Sequence, residues 1–82
     1  MNNVKTLFFA TLRDRVGVGF IDLQIPGQTS VAEFKSILTQ QFPVLKEYMG
    51  HVLISINQEY AFDDAIIPDD AEIALFPPVS GG

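Results

Sequence analysis

Cysteine and tryptophan are absent from the 82 residues, histidine occurs once, and only five residues are basic. Without cysteine there is no disulfide framework, no thiolate zinc site and no cysteine nucleophile, and a disulfide-free domain fits a reducing compartment. The lone His51 has no partner for an ordinary zinc site or a Ser-His-Asp arrangement, so it is expected as an exposed strand-edge residue. Ten acidic residues against five basic ones give a formal charge of −5, the opposite of a nucleic-acid footprint, because phosphate backbones would repel it. No apolar run approaches the roughly 18 residues of a membrane span. Met1-Asn2-Asn3-Val4-Lys5 leads into only a short apolar stretch with no small-residue cleavage site, so neither a membrane nor a secretory route is expected and the chain reads as cytoplasmic.

What is present is apolar: 48% of the residues are hydrophobic and 18% charged, which describes one small globular domain. A chain of this size buries only roughly 60–65% of its unfolded surface. That leaves one modest core and little room for a deep pocket, so any chemistry is expected to use a partner.

Val4, Thr6, Phe8, Ala10 and Leu12 alternate with Lys5, Leu7, Phe9 and Thr11, which predicts a strand with the first set inward. Asp14 to Gly19 reads as a hairpin loop, followed by a second strand in which Ile21, Leu23 and Ile25 alternate with polar positions until Pro26-Gly27. Ser30-Val31-Ala32-Glu33 matches a capping box. The helix it opens carries Val31, Phe34, Ile37 and Leu38 on one stripe, and Pro43 stops it near Phe42. After an irregular piece through Tyr48 and Gly50, the sequence predicts a strand with Val52, Ile54 and Ile56 on one face and a tight turn at Asn57-Gln58. A short return strand from Tyr60 to Phe62, a turn at Pro68-Asp69-Asp70 and a last strand from Glu72 to Phe76 complete it, with Ile73 and Leu75 inward. The predicted class is α+β: a mixed sheet covered on one face by a single main helix. The expected core is Val4, Phe8, Ile21, Leu23, Phe34, Leu38, Val52, Ile54, Ile73 and Leu75.

Two further patterns invite a chemical reading. Gly17 and Gly19 form a GxG, but a third glycine would fall at Asp22 and no helix is predicted to follow, so a hairpin loop outweighs a dinucleotide site. Asp63-Asp64 and Asp69-Asp70 lack the alternating acids, central glycine and terminal glutamate of a calcium loop, and read as solvated turns. No metal site is expected.

The tail is the informative part. Phe76-Pro77-Pro78-Val79-Ser80-Gly81-Gly82 contains two prolines, which cannot donate backbone hydrogen bonds, and two glycines, which carry no side chain. A frayed terminus is common in any domain, but it has no need to be stiff at its root and slim at its tip. An arm that delivers a terminal carboxylate into a narrow channel needs both. This divides the chain into a folded domain, residues 1–76, and an extended tail, residues 77–82.

With these residues in hand, the chain resembles the ubiquitin-like sulfur carriers, most closely the small subunit of molybdopterin synthase (MoaD type). The resemblance rests on Leu7-Phe8-Phe9-Ala10 followed by Arg13-Asp14, the Asn57-Gln58 turn, Asp63-Asp64, Glu72-Ile73-Ala74-Leu75-Phe76 and above all the Pro-Pro-Val-Ser-Gly-Gly ending. One departure is Asp70, where the family usually has glycine; aspartate tolerates a left-handed backbone better than most residues. The resemblance implies a β-grasp fold with first and last strands adjacent, parallel and central. It implies that an ATP-using, E1-like activating enzyme adenylates Gly82, that a thiocarboxylate forms there, and that its sulfur passes to a pterin precursor in the large (MoaE-type) synthase subunit. Pro77, Pro78, Val79, Ser80 and Gly81 would lie in the partner's active site, no cofactor would be bound to the chain itself, and the complex would be a heterotetramer with two copies of each subunit. The residues alone leave open a carrier for another pathway, a ubiquitin-like protein modifier, or a β-grasp interaction module with an inert tail.

Parity suggests where a partner docks. If Val4, Phe8, Ile73 and Leu75 point inward, Leu7, Phe9, Ala74 and Phe76 emerge on the opposite face, which no predicted helix covers. The alternative is that the loop from Tyr60 to Ile67 buries Phe9 and Phe76. By the same parity Arg13 falls on the side of Phe9, either to meet an acidic partner group or as a plain solvated charge.

Overall fold

A computed structural model describes residues 2–77; Met1 and residues 78–82 lie outside it. The elements are β1 (Asn2–Phe8), α1 (Ala10–Val16), β2 (Phe20–Ile25), α2 (Val31–Gln41), a 3-10 segment (Pro43–Tyr48), β3 (Leu53–Ile56), β4 (Glu59–Ala61) and β5 (Glu72–Phe76). The five strands form one sheet in the order β2-β1-β5-β3-β4. β1 and β5 run parallel at its centre and the other pairs are antiparallel, so the expected α+β architecture and the central parallel pair of the β-grasp are both present.

Helix α2 forms where its signals lie. Ser30 caps it in extended geometry, its hydroxyl accepting from the Glu33 amide at 3.2 Å while the Glu33 carboxylate accepts from the Ser30 amide at 3.1 Å. The bond from the Ser30 amide, and a second that the Ser30 hydroxyl donates to the same carboxylate oxygen at 3.1 Å, hold the Glu33 carboxyl below its ordinary pKa, the backbone bond contributing most. Val31, Phe34 and Leu38 form its buried stripe and meet Val4, Phe8, Ile73 and Leu75 from the sheet. Pro43 opens the 3-10 segment, whose Leu45 is fully buried.

Three expectations are corrected. The first strand stops at Phe8, not Leu12, and a two-turn helix, α1, runs through the end of the expected strand and the first half of the stretch from Asp14 to Gly19 that reads as a hairpin loop. Leu12 and Val16, four apart, turn toward the core on that helix, and Gly17 closes it in left-handed geometry (φ 92°) with its N–H donating to the Arg13 carbonyl at 2.9 Å. A two-residue period and a four-residue spacing both place Leu12 inward, which is why the pattern read as strand. The third correction is Ile21, only partly buried because β2 is an edge strand. Leu12, Ile25, Val31, Leu45, Ile67 and Ala71 join the other predicted core positions, all of which are buried.

The turns fix the registers. Asn57 and Gln58 both have positive φ (51° and 73°) in the two-residue connection between the paired Ile56 and Glu59, the geometry that matches the twist of a hairpin. Asp70 also has positive φ (56°), in keeping with the backbone demand inferred at that position. Its amide donates to the Asn2 side chain at 2.8 Å, and Asn2 Nδ2 donates to the Pro68 carbonyl at 2.9 Å. Asn57 does the same for β5, accepting from the Glu72 amide on its side chain at 2.9 Å and donating its own amide to the Glu72 carbonyl at 2.8 Å. The start of the central strand is thus clasped on both sides before its apolar residues enter the core.

Candidate docking face and tail root

Strand register builds the face opposite α2 row by row. Phe20 pairs with Leu7, Leu7 with Ala74, Ala74 with Ser55 and Ser55 with Tyr60, so one row crosses all five strands. The row toward the tail holds Phe76 paired with Leu53. Phe9 joins it because its backbone stays extended (φ −120°, ψ 151°) for one residue past β1. On the other side of the apolar row lie Asp22, Lys5 and Glu72, the Lys5 ammonium standing 4.9 Å over the Phe20 ring.

Leu7, Phe9, Ala74 and Phe76 therefore do come together. They line one open groove of about 360 Å³ with Ser55, Gln58, Tyr60 and Glu72. The small Ala74 forms its floor, Leu7 and Phe76 are half-buried, and Phe9 is 40% exposed. The rings of Phe9 and Phe76 stack with centroids 4.7 Å apart and planes 11° from parallel. The loop after β4 does not cover them. It crosses the N-terminus of α2 instead, its Ala65 and Asp63 carbonyls accepting from the Val31 and Ala32 amides and its Ile67 amide donating to Thr29. Asp63 also pairs with Lys35 at 2.7 Å.

Arg13 is placed differently from the strand expectation. It sits on α1, one turn beyond Phe9, with its guanidinium beside Gly19 and outside the groove lining. Strand parity fails there because the period changes from two to 3.6 at Ala10. Pro77 is half-buried where β5 ends. Pro78, Val79, Ser80, Gly81 and Gly82 lie outside the described residues. Tyr60, Ser55 and Gln58 were missed as groove residues, although the Asn57-Gln58 turn carries the signal: a two-residue hairpin centred there places Ser55 opposite Tyr60. Tyr60 (73% exposed), Phe62 (81%) and Ile66 (57%) extend the exposed apolar surface along and past the β4 edge.

His51 is exposed in the turn before β3, and the two Asp doublets are exposed in turns. Among the described residues no three His, Cys, Asp or Glu side chains gather where they could hold a metal, and no helix is long and apolar enough to cross a membrane. The site is thus an apolar, stacked-aromatic surface at the exit of the last strand, with the polar side chains of Ser55, Gln58, Tyr60 and Glu72 in its lining.

The profile described as the ThiS family matches residues 6–82. The chain belongs to the ThiS family. This ThiS-family chain is 35% identical to the molybdopterin synthase sulfur carrier subunit of Arabidopsis thaliana over 79 residues, covering 96% of the chain and 82% of that relative. Among solved structures it resembles the small archaeal modifier protein 1 of Methanosarcina acetivorans (TM-score 0.81, 28% identity, 100% of this chain and 98% of that one). It also resembles a chain of the complex of subunits 1 and 2 of the molybdopterin-converting factor of Helicobacter pylori (TM-score 0.69, 26% identity, 98% and 99% covered).

Proposed function

We propose that this chain is the sulfur-carrying small subunit of a molybdopterin synthase, a protein-bound cosubstrate rather than a catalyst. The observation that carries the reading is the apolar groove of Leu7, Phe9, Ala74 and Phe76 lying where β5 releases the tail, in a chain whose relatives are named as sulfur carrier subunits. Aromatic surface concentrated at one place is the anatomy of an interface core, and the Helicobacter pylori relative was solved in complex with a second subunit.

A carboxylate is a poor electrophile. In the proposed sequence the Gly82 carboxylate attacks the α-phosphorus of ATP on an E1-like activating enzyme and pyrophosphate leaves. A sulfur donor then adds to the acyl carbon and AMP leaves, giving a Gly82 thiocarboxylate. Docking through the open face would carry that sulfur, along Pro77, Pro78, Val79, Ser80 and Gly81, to a pterin precursor in the large subunit. The general acids and bases would belong to the partner, with residues 1–76 as the docking domain and 77–82 as the arm. A dithiolene product needs two sulfurs, so each turnover consumes two charged chains, and an assembly with two copies of each subunit in the cytoplasm suits that need.

The test is to delete Gly82 or append alanine after it. Deletion shortens the arm by roughly 3.3–3.6 Å, where even about 1 Å of misplacement can cost a hundredfold in rate. Adenylation and sulfur transfer should collapse in both variants while melting temperature and affinity for the large subunit change far less. Normal transfer by either variant would overturn the carrier mechanism. The likeness to an archaeal modifier protein favours one second reading, conjugation to other proteins. Mass spectrometry of chain from its host separates the two, since a thiocarboxylate exchanges one oxygen for sulfur and conjugation adds a whole second chain.

A further inference from the structure

The parallel β1–β5 ladder ends at Phe8 and Leu75, one residue short of the point where the tail begins. On its β3 side Phe76 is held by pairing with Leu53; on its β1 side no ladder partner remains. The Phe9 ring takes that place, stacked on Phe76 at 4.7 Å. Phe9 itself is tied at both ends of its peptide unit. Its N–H donates to the Leu75 carbonyl at 3.3 Å, and its carbonyl accepts from the Leu12 and Arg13 amides at 3.1 and 3.4 Å. The next residue, Ala10, is held at φ 51°, a left-handed conformation that L side chains adopt only when the surroundings impose it. That turn lets β1 break into α1 immediately after Phe9, so the ring points over the end of β5.

Two aromatics meant only to enter a partner would each gain by presenting both faces. Here each has spent one face on the other. We propose that Phe9 is a positioning residue: through its stack on Phe76, and held by the strained Ala10 turn, it fixes the direction in which the chain leaves β5 at Pro77, and thereby aims the reactive end. This rests on the carrier reading, and goes beyond docking, because aiming acts after the partner is bound.

The experiment compares Phe9→Leu, which keeps an apolar side chain but removes the ring, with Phe9→Tyr, which keeps the stack. Each chain is charged as the thiocarboxylate and mixed with the large subunit and pterin precursor, and single-turnover transfer is followed across large-subunit concentration. Aiming predicts that Phe9→Leu lowers the rate at saturation by about tenfold or more, as a misdirected reacting group should, with a smaller change in the half-saturating concentration. Phe9→Tyr should restore the parental rate. Full rate at saturation with only the half-saturating concentration raised would overturn the proposal and leave Phe9 as a docking residue. A second readout needs no carrier chemistry: by NMR, the backbone order parameter of Phe76 should fall in Phe9→Leu from the rigid value of about 0.85 and stay there in Phe9→Tyr. An unchanged Phe76 in Phe9→Leu overturns the aiming role even if the parental chain proves to carry no sulfur, whereas a parental chain that forms no thiocarboxylate overturns the carrier reading alone.

Discussion

The two faces of the central sheet are made from the same strands, residue by alternate residue. On one, Val4, Phe8, Ile73 and Leu75 are sealed beneath Phe34 and Leu38 of α2. On the other, Leu7, Phe9, Ala74 and Phe76 are equally apolar, and nothing in residues 2–77 covers them beyond their own neighbours. Composition does not distinguish the faces. The helix does: one amphipathic stripe can bury one face, and among the described residues no second helix is long enough to bury the other. Apolar side chains on the covered face should therefore carry stability, and those on the open face should carry association.

The sharpest way to break that comparison is to truncate the covered side. Phe34→Ala or Leu38→Ala should cost about 2–5 kcal/mol, a large share of a small domain's stability, read as a lower urea midpoint. A variant as stable as the parent would show that α2 is not what seals the face. Across the sheet, Phe76→Ala should weaken binding to the large subunit by about 1–3 kcal/mol while leaving a folded domain, measured by calorimetric titration beside a melting curve. If Phe76→Ala unfolds the chain instead, the faces do not divide their roles. A smaller effect tests the covered face from within. Thr6 is fully buried there and its hydroxyl finds no hydrogen-bond partner among the described residues, so Thr6→Val should raise stability by about 1–2 kcal/mol with no change in partner affinity.

The smallest effect concerns the cap that seats the helix. Ser30→Ala should cost about 1 kcal/mol. It should also flatten part of the acid dependence. Glu33 is held below its ordinary pKa by the bonds from Ser30, so its contribution is complete above the unfolded glutamate pKa and is lost as pH falls through the lowered, folded value. Urea midpoints measured from neutral pH downward should therefore fall less steeply in Ser30→Ala than in the parent.

Much of this was legible in the residues because the signals are local. The capping box, the Pro43 stop, the Asn57-Gln58 turn and the alternation of Glu72–Phe76 each depend on neighbours within four positions. The face carrying Leu7, Phe9, Ala74 and Phe76 followed from parity alone, since both central strands are regular up to that point. Local signals failed where two periods agree: Leu12 lies inward on a strand continued from Phe8 and on a helix begun at Ala10, and Gly17, read as loop, is the cap that closes that helix. Arg13 was misplaced with it. Tyr60 was reachable only through the hairpin register.

The sequence by itself determined the element types over most of the chain, the covered stripe of α2 and the apolar alternation of both sheet faces. Each is a property of side chains at fixed spacing. Tertiary structure alone decided that the Phe9 and Phe76 rings meet, 67 residues apart in the chain and stacked at 4.7 Å. It also decided that the loop after β4 closes over α2 and leaves the groove open. Those outcomes depend on which strands become neighbours and where the backbone turns left-handed at Ala10, and no periodicity along one segment encodes a meeting between two.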